Sequence, residues 1–261
     1  MLDLIAALPP GSRVLDIGAA TGSFQTSRRD LTVVRADLEI RKTRAHGSFV
    51  AADAARLPFA NESFDLVVSN HSLEHFPRLE VALDEIGRTI KRDGAFYVAV
   101  PDATTFTDRL YRWMGRGGGH VNAFVSPEQV SNLVTRITGL PLRSTRPLWS
   151  SLSFLSAHNR SGRPQIKSVL FAFGHEGFLA RFNWMLRWID RRCRSRLSEY
   201  GWEFRFGKAA PIEGKPWINV CIRCGSGFAA AFVQMRTGWY RCPQCGARNL
   251  LFPVTPADRY E

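Results

Sequence analysis

The sequence predicts an α/β fold, in which a parallel sheet carries helices on both faces, followed by a small metal-binding tail. Two observations predict it. Short apolar segments rich in β-branched residues alternate with helical segments, as in parallel sheets. Four cysteines form two C-x-x-C pairs near the end of the chain. The 261 residues suffice for one α/β domain and one smaller unit.

Five strands and one helix are predicted in the first hundred residues. Each strand is a short apolar run that stops at a glycine, a polar residue or proline. The helix has apolar residues at a spacing of three and four, with Gly94 as its predicted end. The predicted strands are Val14–Ile17, a second ending at Asp37, a third ending at Asp53, 63–70 and 95–101, and the predicted helix lies between 75 and 94.

The remainder of the chain adds two strands and two helices to the prediction. Gly115 to His120 is a glycine-rich loop. A helix then begins with Ser126 as N-cap and Pro127 at its first position. The sixth strand, a helix at about 176–196 and the seventh strand follow; the strands are predicted at 140–149 and 201–208.

The stretch "RVLDIGAATGSF" begins at Arg13 and places a glycine-rich loop after the first strand. Its pattern, D-x-G-x-x-x-G, lacks the third glycine of the dinucleotide fingerprint, so an NAD site is disfavoured. Glycines let a backbone approach a ligand closely. In open α/β sheets the ligand lies at the carboxyl ends of the strands, where Asp37, Asp53 and Asn70 also fall, and a carboxylate after the second strand can bind ribose hydroxyls.

Several motifs in order carry a family resemblance. "VLDIGAATG", "RADLE", "AADAARLPFANESFDLVVSNHSLEHF" and "IKRDGAFYVAVP" together resemble the class I S-adenosylmethionine-dependent methyltransferases. More narrowly they resemble the type 11 group that includes the ubiquinone and menaquinone pathway enzymes. The resemblance covers about Val14 to Leu148. It implies a Rossmann-like seven-stranded methyltransferase sheet with an antiparallel last strand.

The resemblance also implies a set of cofactor-binding residues. The loop from Gly18 to Gly22 would contact the methionine part, Asp16 would position the amino group, and Asp37 would bind the ribose. Ala20 stands where the family usually has glycine, and we expect tighter packing there rather than lost binding. The implied set is Asp16, Gly18, Ala19, Ala20, Gly22, Asp37, Leu38, Asp53, Ala54 and Asn70, with Asp53 and Ala54 at the adenine and Asn70 and His71 at the sulfonium.

Histidine is the side chain best suited to accept a proton near neutral pH. His71 and His120 are the catalytic candidates, although either could instead only shape the site, and His75 is interpreted as a core or cap residue. "SNHS" replaces the N/D-P-P-Y/F motif of the enzymes that methylate amino groups of adenine or glutamine. All five cysteines lie at 193 or later, so the predicted catalytic domain has no cysteine nucleophile. The remaining expectation is methylation of an oxygen or nitrogen atom, on an acceptor that is a small molecule or is linked to a lipid or carrier.

The four tail cysteines predict a tetrahedral Zn²⁺ site in a zinc ribbon. The ligands are Cys221, Cys224, Cys242 and Cys245, with Cys193 left over on a helix. Four thiolates close the coordination shell, so a catalytic role for zinc is disfavoured, and about forty residues need the metal in order to fold. The ribbon could be a structural appendage, a docking module for a protein or carrier, or an RNA-binding element. The predicted domains are 1–215 for the methyltransferase and 216–255 for the ribbon.

The net charge of +12 is uneven, with +2 on residues 1–150, +7 on 151–220 and +3 on 221–261. The helix at 176–196 has the apolar stripe Phe178, Phe182, Met185 and Ile189, with Leu179 and Leu186 beside it, and this face is predicted to pack. Arg187, Arg191 and Arg194 lie on the other side. The same pattern also suits a helix lying on a membrane surface. An RNA methyltransferase and a non-catalytic zinc-containing binding protein are the alternative functions. The chain start lacks a secretion signal and no long apolar run occurs, so a cytoplasmic location is expected.

Overall fold

The fold was described from a computed structural model, which covers residues 1–39, 46–114, 119–159, 174–211, 219–227 and 238–253. Seven strands form one mixed sheet in the order β3-β2-β1-β4-β5-β7-β6. They are β1 (Arg13–Ile17), β2 (Thr32–Asp37), β3 (Ser48–Ala51), β4 (Phe64–Asn70), β5 (Ile90–Pro101), β6 (Leu142–Trp149) and β7 (Glu199–Gly207). The helices are α1 (Leu2–Ala7), α2 (Leu79–Thr89), α3 (Phe106–Met114), α4 (Pro127–Thr138) and α5 (Glu176–Cys193). The predicted fold class is thus confirmed.

The first five strands are parallel in the order β3-β2-β1-β4-β5. β7 runs antiparallel to β6, because Gly207 N donates to Pro141 O at one end and Ser150 N donates to Ser198 O at the other. Central strands are buried on both faces, which explains their continuous apolar runs. No helix joins β1 to β2, a connection that the structure describes completely. No helix among the described residues is both long and apolar enough to cross a bilayer.

Two compact units divide the chain. The first comprises 1–102, 120–146 and 202–212, and its core is built on the strands and on α2 and α4. The second comprises 103–119, 147–201 and 213–261, with a core centred on Leu179, Leu186 and Ile222. The division into domains at residue 215 stays a prediction.

The predicted N-cap of α4 is present. Ser126 Oγ accepts a hydrogen bond from Gln129 N at 3.1 Å, and Pro127 occupies the first position. Gly139 ends the helix with a left-handed φ of 71°. Local chemistry alone therefore determines both ends of this helix.

The predicted end of α2 at Gly94 is wrong. The helix ends at Thr89, and Ile90 already pairs with Phe64 in the ladder between β4 and β5. Gly94 lies inside β5, where a Cβ would approach Ile90 Cγ2 to 2.7 Å. The glycine therefore accommodates close packing within the sheet, which the sequence pattern alone does not distinguish from a helix cap.

The predicted packing face of α5 is only partly confirmed, because Phe182 packs against the core that contains Leu179 and Leu186. Phe178 and Met185 are exposed, whereas Leu179, Leu186 and Arg187 are buried. Arg187 donates a hydrogen bond to Ser150 O at 3.1 Å, so this guanidinium is not on a solvated face. Burial lowers the pKa of Arg187 to about 10. The buried face of α5 includes polar side chains because Asn183 and Arg187 find hydrogen-bond partners in Ser151 O and Ser150 O.

One ion pair is completely buried at the strand ends. Arg35 on β2 pairs with Asp16 on β1, and neither side chain is exposed. Arg35 also donates to Phe24 O at 2.8 Å and to His46 O at 3.0 Å. Its guanidinium stacks 4.5 Å from the centroid of the Phe24 ring. Together these contacts satisfy a charge that would otherwise be costly to bury.

We expect Arg35→Met to lower the free energy of unfolding by about 3 kcal/mol or more, because the substitution strands the buried Asp16 carboxylate. Urea unfolding followed by circular dichroism measures the change. Arg92→Met is the matched control: Arg92 pairs with Glu62 but its side chain is 89% exposed. The control should change stability little, and equal losses for both variants would contradict the prediction.

Candidate functional site

The predicted cofactor residues follow the carboxyl ends of four adjacent strands, β3-β2-β1-β4. The sheet order β2-β1-β4 places the loop after Ile17 between the ends of the other two strands. Gly18 N and Ala19 N both donate to Ala36 O, at 2.8 and 3.2 Å, which attaches the loop to β2. Asn70 ends β4 directly beside it.

The loop itself has a backbone that explains its glycines. Gly18 and Gly22 have φ values of 65° and 107°, and Gly22 N donates to Ala19 O at 2.5 Å. A Cβ at Gly18 would lie 2.4 Å from Ser72 Cβ. Ala20 also has a positive φ, 48°. Alanine at position 20, where the family usually has glycine, therefore adopts a left-handed backbone conformation that costs alanine conformational free energy.

Asp37 is joined to the loop by a short hydrogen bond. Ala20 N donates to Asp37 Oδ2 at 2.7 Å, while the longer contact from Glu39 N to Oδ1 is 3.4 Å. Asp37 is half-buried, and the neighbouring Leu38 side chain is 71% exposed. The arrangement leaves Oδ1 only weakly engaged, as a residue that binds ribose hydroxyls requires.

The two carboxylate oxygens of Asp16 have different surroundings. One carboxylate oxygen, Oδ2, accepts from Ser23 N at 2.9 Å and pairs with Arg35. The other oxygen, Oδ1, is buried and has no hydrogen-bond partner among the described residues. Burial raises the pKa of Asp16, and the bonds to Ser23 and Arg35 oppose that rise. A buried oxygen without a partner fits a group that would bind the amino group of a cofactor.

Asp53 lies two residues beyond the end of β3 and is already engaged. Its Oδ1 accepts from Ala55 N at 2.9 Å, and its Oδ2 bonds to Arg78 at 2.6 Å. The hydrogen bond from Ala55 and the Arg78 charge lower the pKa of Asp53. The sequence analysis did not predict the Arg78 contact. Ala54, beside it, is half-buried against the core.

The three candidate histidines lie near one another. His71 follows Asn70 with a positive φ of 54°, and its Nδ1 is 4.0 Å from Glu74 Oε1. Burial, together with the positive charge that His120 and His75 would carry, lowers the pKa of His71 to about 4. The ring centroids of His75 and His120 are 4.8 Å apart. His75 is exposed on a 3-10 turn, so its interpretation as a core residue is wrong.

The four tail cysteines converge. Their sulfur atoms lie within 4.8 Å of one another, with Cys221 and Cys245 Sγ atoms 3.5 Å apart and those of Cys224 and Cys242 3.7 Å apart. Four sulfurs bound tetrahedrally at about 2.3 Å from one Zn²⁺ would be about 3.8 Å apart. The hydrogen bond between Cys221 and Cys224 lowers the pKa of Cys224 to about 4 and raises that of Cys221. The thiolate is the form of cysteine that binds a metal.

The two cysteine pairs lie on nearly identical turns. Gly225 N donates to Cys221 O and Gly246 N donates to Cys242 O, both at 2.9 Å. The two glycines have φ values of 73° and 70°. The second pair lies between the antiparallel strands β8 (Trp239–Arg241) and β9 (Arg248–Leu250). The rest of the predicted ribbon, including 228–237, lies outside the described residues.

Side chains missed by the sequence analysis hold these turns together. Asn249 Oδ1 accepts from Ile222 N at 2.9 Å, and Asn249 Nδ2 lies 3.6 Å from Cys221 Sγ. Arg223 bonds to Glu176 at the start of α5 and to Cys245 O at 2.9 Å. A lone polar residue within an apolar run, as in "RNLLF", was the available signal for Asn249.

We expect Gly18→Ala to destabilise the protein more than Gly11→Ala. Both glycines have positive φ, but a Cβ at Gly11 has open space within 4 Å. The Gly11 variant should lose about 1 kcal/mol from backbone strain, and the Gly18 variant a further 1–3 kcal/mol, roughly, from overlap with Ser72. Chemical denaturation of both variants measures the difference, and similar losses would contradict the packing argument.

Residues 15–98 match the family model described as "Methyltransferase domain". Malonyl-[acyl-carrier protein] O-methyltransferase of Methylococcus capsulatus is 31% identical over 136 residues, which cover 47% of this chain and 50% of that protein. Demethylmenaquinone methyltransferase of Renibacterium salmoninarum is 34% identical over 127 residues, which cover 43% and 53%. The chain spans about half the length of these curated relatives.

Among solved structures, the fold resembles that of a provisionally assigned methyltransferase from an antibiotic biosynthesis pathway of Anabaena variabilis. The TM-score is 0.54 with 22% sequence identity, over 79% of this chain and 96% of that chain. This likeness concerns the fold, which is the Rossmann-like methyltransferase fold. Residues 15–98 thus resemble a methyltransferase domain, and the chain has the fold of the solved methyltransferase.

Proposed function

We propose that this protein transfers a methyl group from S-adenosylmethionine to an oxygen or nitrogen atom of a small-molecule or carrier-linked acceptor. The observation that carries the proposal is the joining of the glycine loop to Asp37. The hydrogen bond from Ala20 N to Asp37 Oδ2 brings the two predicted cofactor elements to one place at the sheet edge. Asn70 ends the next strand of the same edge.

Each of these groups has a distinct role in the proposed site. The Asp16 Oδ1 atom, buried without a partner among the described residues, would accept from the amino group. Asp37 would bind the ribose hydroxyls, and Asp53, Ala54 and Leu38 would border the adenine. When bound, S-adenosylmethionine supplies a methyl group on a cationic sulfur, which leaves by in-line displacement. The chain therefore has to orient the acceptor and exclude water rather than form a covalent bond.

The proton-accepting role is assigned to His71 and His120, which lie beyond the end of β4. The lowered pKa of His71 keeps its imidazole neutral at physiological pH, the form that can accept a proton. A pKa of about 4 also makes His71 a weak base, so its contribution suits an acceptor that is itself readily deprotonated. The name of the malonyl-[acyl-carrier protein] O-methyltransferase supports an oxygen acceptor on a small or carrier-linked group.

We further propose that the four tail cysteines bind a structural Zn²⁺. The sulfur separations and the matched turns suit a closed tetrahedral site without an open position for substrate. The ribbon then serves as a folded appendage or as a docking surface for a protein or carrier. An RNA acceptor is supported only by the basic composition, and membrane contact through α5 only by the exposed Phe178, Met185 and Trp188. A cytoplasmic location stays a prediction.

We expect Asp37→Asn to weaken S-adenosylmethionine binding by about ten- to a hundredfold, because charged hydrogen bonds to the ribose are lost. Isothermal titration calorimetry measures the Kd. Glu39→Gln, an exposed carboxylate two residues away, is the matched control and should bind like the wild type. The proposed function would be overturned if the wild-type protein did not bind S-adenosylmethionine.

We expect Cys224→Ser to weaken the thiolate-to-cobalt charge-transfer absorption of the Co²⁺-substituted protein, because only three of the four sulfur ligands remain. It should also lower the thermal stability of the tail, since metal binding supplies its folding free energy. Cys193→Ser is the matched control, because Cys193 is exposed on α5. Weakened absorption in both variants, or in neither, contradicts the four-cysteine site.

A further inference from the structure

A second group of metal-ligating side chains lies beyond the end of β4, apart from the cysteines. Glu74 and His75 belong to the 3-10 turn Leu73–His75, and His120 lies 45 residues further along the chain. One potential ligand atom from each lies within 4.8 Å of the other two. Glu74 is buried, His75 exposed and His120 half-buried.

Hydrogen bonds from the backbone and from the Asn122 side chain hold this cluster in place. Val121 N and Asn122 N donate to Glu74 O at 2.8 and 3.0 Å. Asn122 Nδ2 donates to Leu73 O at 2.8 Å and to Phe76 O at 2.9 Å. Four hydrogen bonds thus fix the segment after His120 against the turn. These hydrogen bonds hold the backbone on both sides of the three side chains, which favours a preorganised site.

The donor set is specific in its chemistry. Two imidazoles and one carboxylate bind divalent transition metals such as Zn²⁺ and leave coordination positions open. Ligand atoms in a tetrahedral zinc site are roughly 3.4 Å apart. The three atoms here lie within 4.8 Å of one another, so any pair would have to close by roughly 1.4 Å at most. Rotation of the exposed His75 can provide that movement. The Glu74 Oε2 and His120 Nδ1 atoms are shielded from solvent, so a cation bound there would be retained against water.

We propose that Glu74, His75 and His120 form a second metal site, which binds a divalent transition metal with an open position. The metal binds at the end of β4, next to Asn70 and His71. If the proposed function holds, an acceptor oxygen can occupy the open position and lose its proton more readily. His120 is then a ligand, and His71 alone is left to accept a proton. This last consequence rests on the proposed function, whereas metal binding does not.

Metal stoichiometry tests the proposal without methyl transfer. Chelator-treated full-length protein is loaded with Co²⁺, freed of excess metal by gel filtration, and analysed for cobalt content and absorption. The wild type should retain two equivalents, only one of which shows thiolate-to-cobalt charge transfer. His75→Ala should lose the other equivalent while keeping that absorption, with an affinity reduced by more than about tenfold. His75 is exposed, so this substitution does not disturb the core.

Two further variants make the result decisive. Glu74→Gln should lose the same equivalent as His75→Ala, and the matched control His158→Ala, an exposed histidine elsewhere, should retain both. A wild type that holds cobalt only at thiolates would overturn the proposal and leave the cluster as a hydrogen-bonded histidine–carboxylate group. The same holds if His75→Ala and Glu74→Gln bind cobalt as the wild type does. Failure to bind S-adenosylmethionine would overturn the proposed function but not this site.

Discussion

The buried ion pair between Arg35 and Asp16 is the interaction on which the candidate site depends. Two charges without solvent are stable only when each satisfies the other and the remaining hydrogen-bonding groups are paired. Arg35 meets this condition by also binding the carbonyl groups of Phe24 and His46. Asp16 extends the same network to Ser23 N at the end of the glycine loop. The ion pair is thus joined to the glycine loop through Ser23 N, and Ala20 N in the same loop donates to the Asp37 carboxylate at the end of β2.

Much of the sheet was predictable because its strands are short, apolar and bounded by turn residues. The N-cap of α4 was predictable for a similar reason, since Ser126 and Pro127 act through local chemistry. The end of α2 was not, because Gly94 is packed closely against Ile90 on its own strand and against Phe64 O on the neighbouring strand. The buried face of α5 was not, because Arg187 donates a hydrogen bond to Ser150 O, 37 positions away in sequence. Periodicity indicates an amphipathic helix but not which polar groups find partners.

The candidate site shows the same limit. The glycines, Asp37 and the C-x-x-C pairs have spacings that indicate their chemistry directly. In the structure, the glycine loop contacts Asp37, and the four cysteines lie close to one another. The contact of Asp53 with Arg78 and the support of the cysteine turns by Asn249 depend on pairs of residues separated by 25 and 28 positions. Glu74 and His120 lie close together because the residues that follow His120, Val121 and Asn122, donate backbone hydrogen bonds to Glu74 O. Such pairings follow from the tertiary fold, so a single sequence does not reveal them.

The link between Glu176 and the cysteine turns has a mechanical consequence. Glu176 binds the Arg223 guanidinium and accepts from Arg248 N at 3.4 Å, so the first turn of α5 contacts both halves of the tail. Ile222 adds an apolar contact to the same core as Leu179 and Leu186. These contacts couple the first turn of α5 to the cysteine turns, so the two are expected to unfold together. Chemical damage to a single cysteine sulfur would therefore also lower the stability of α5.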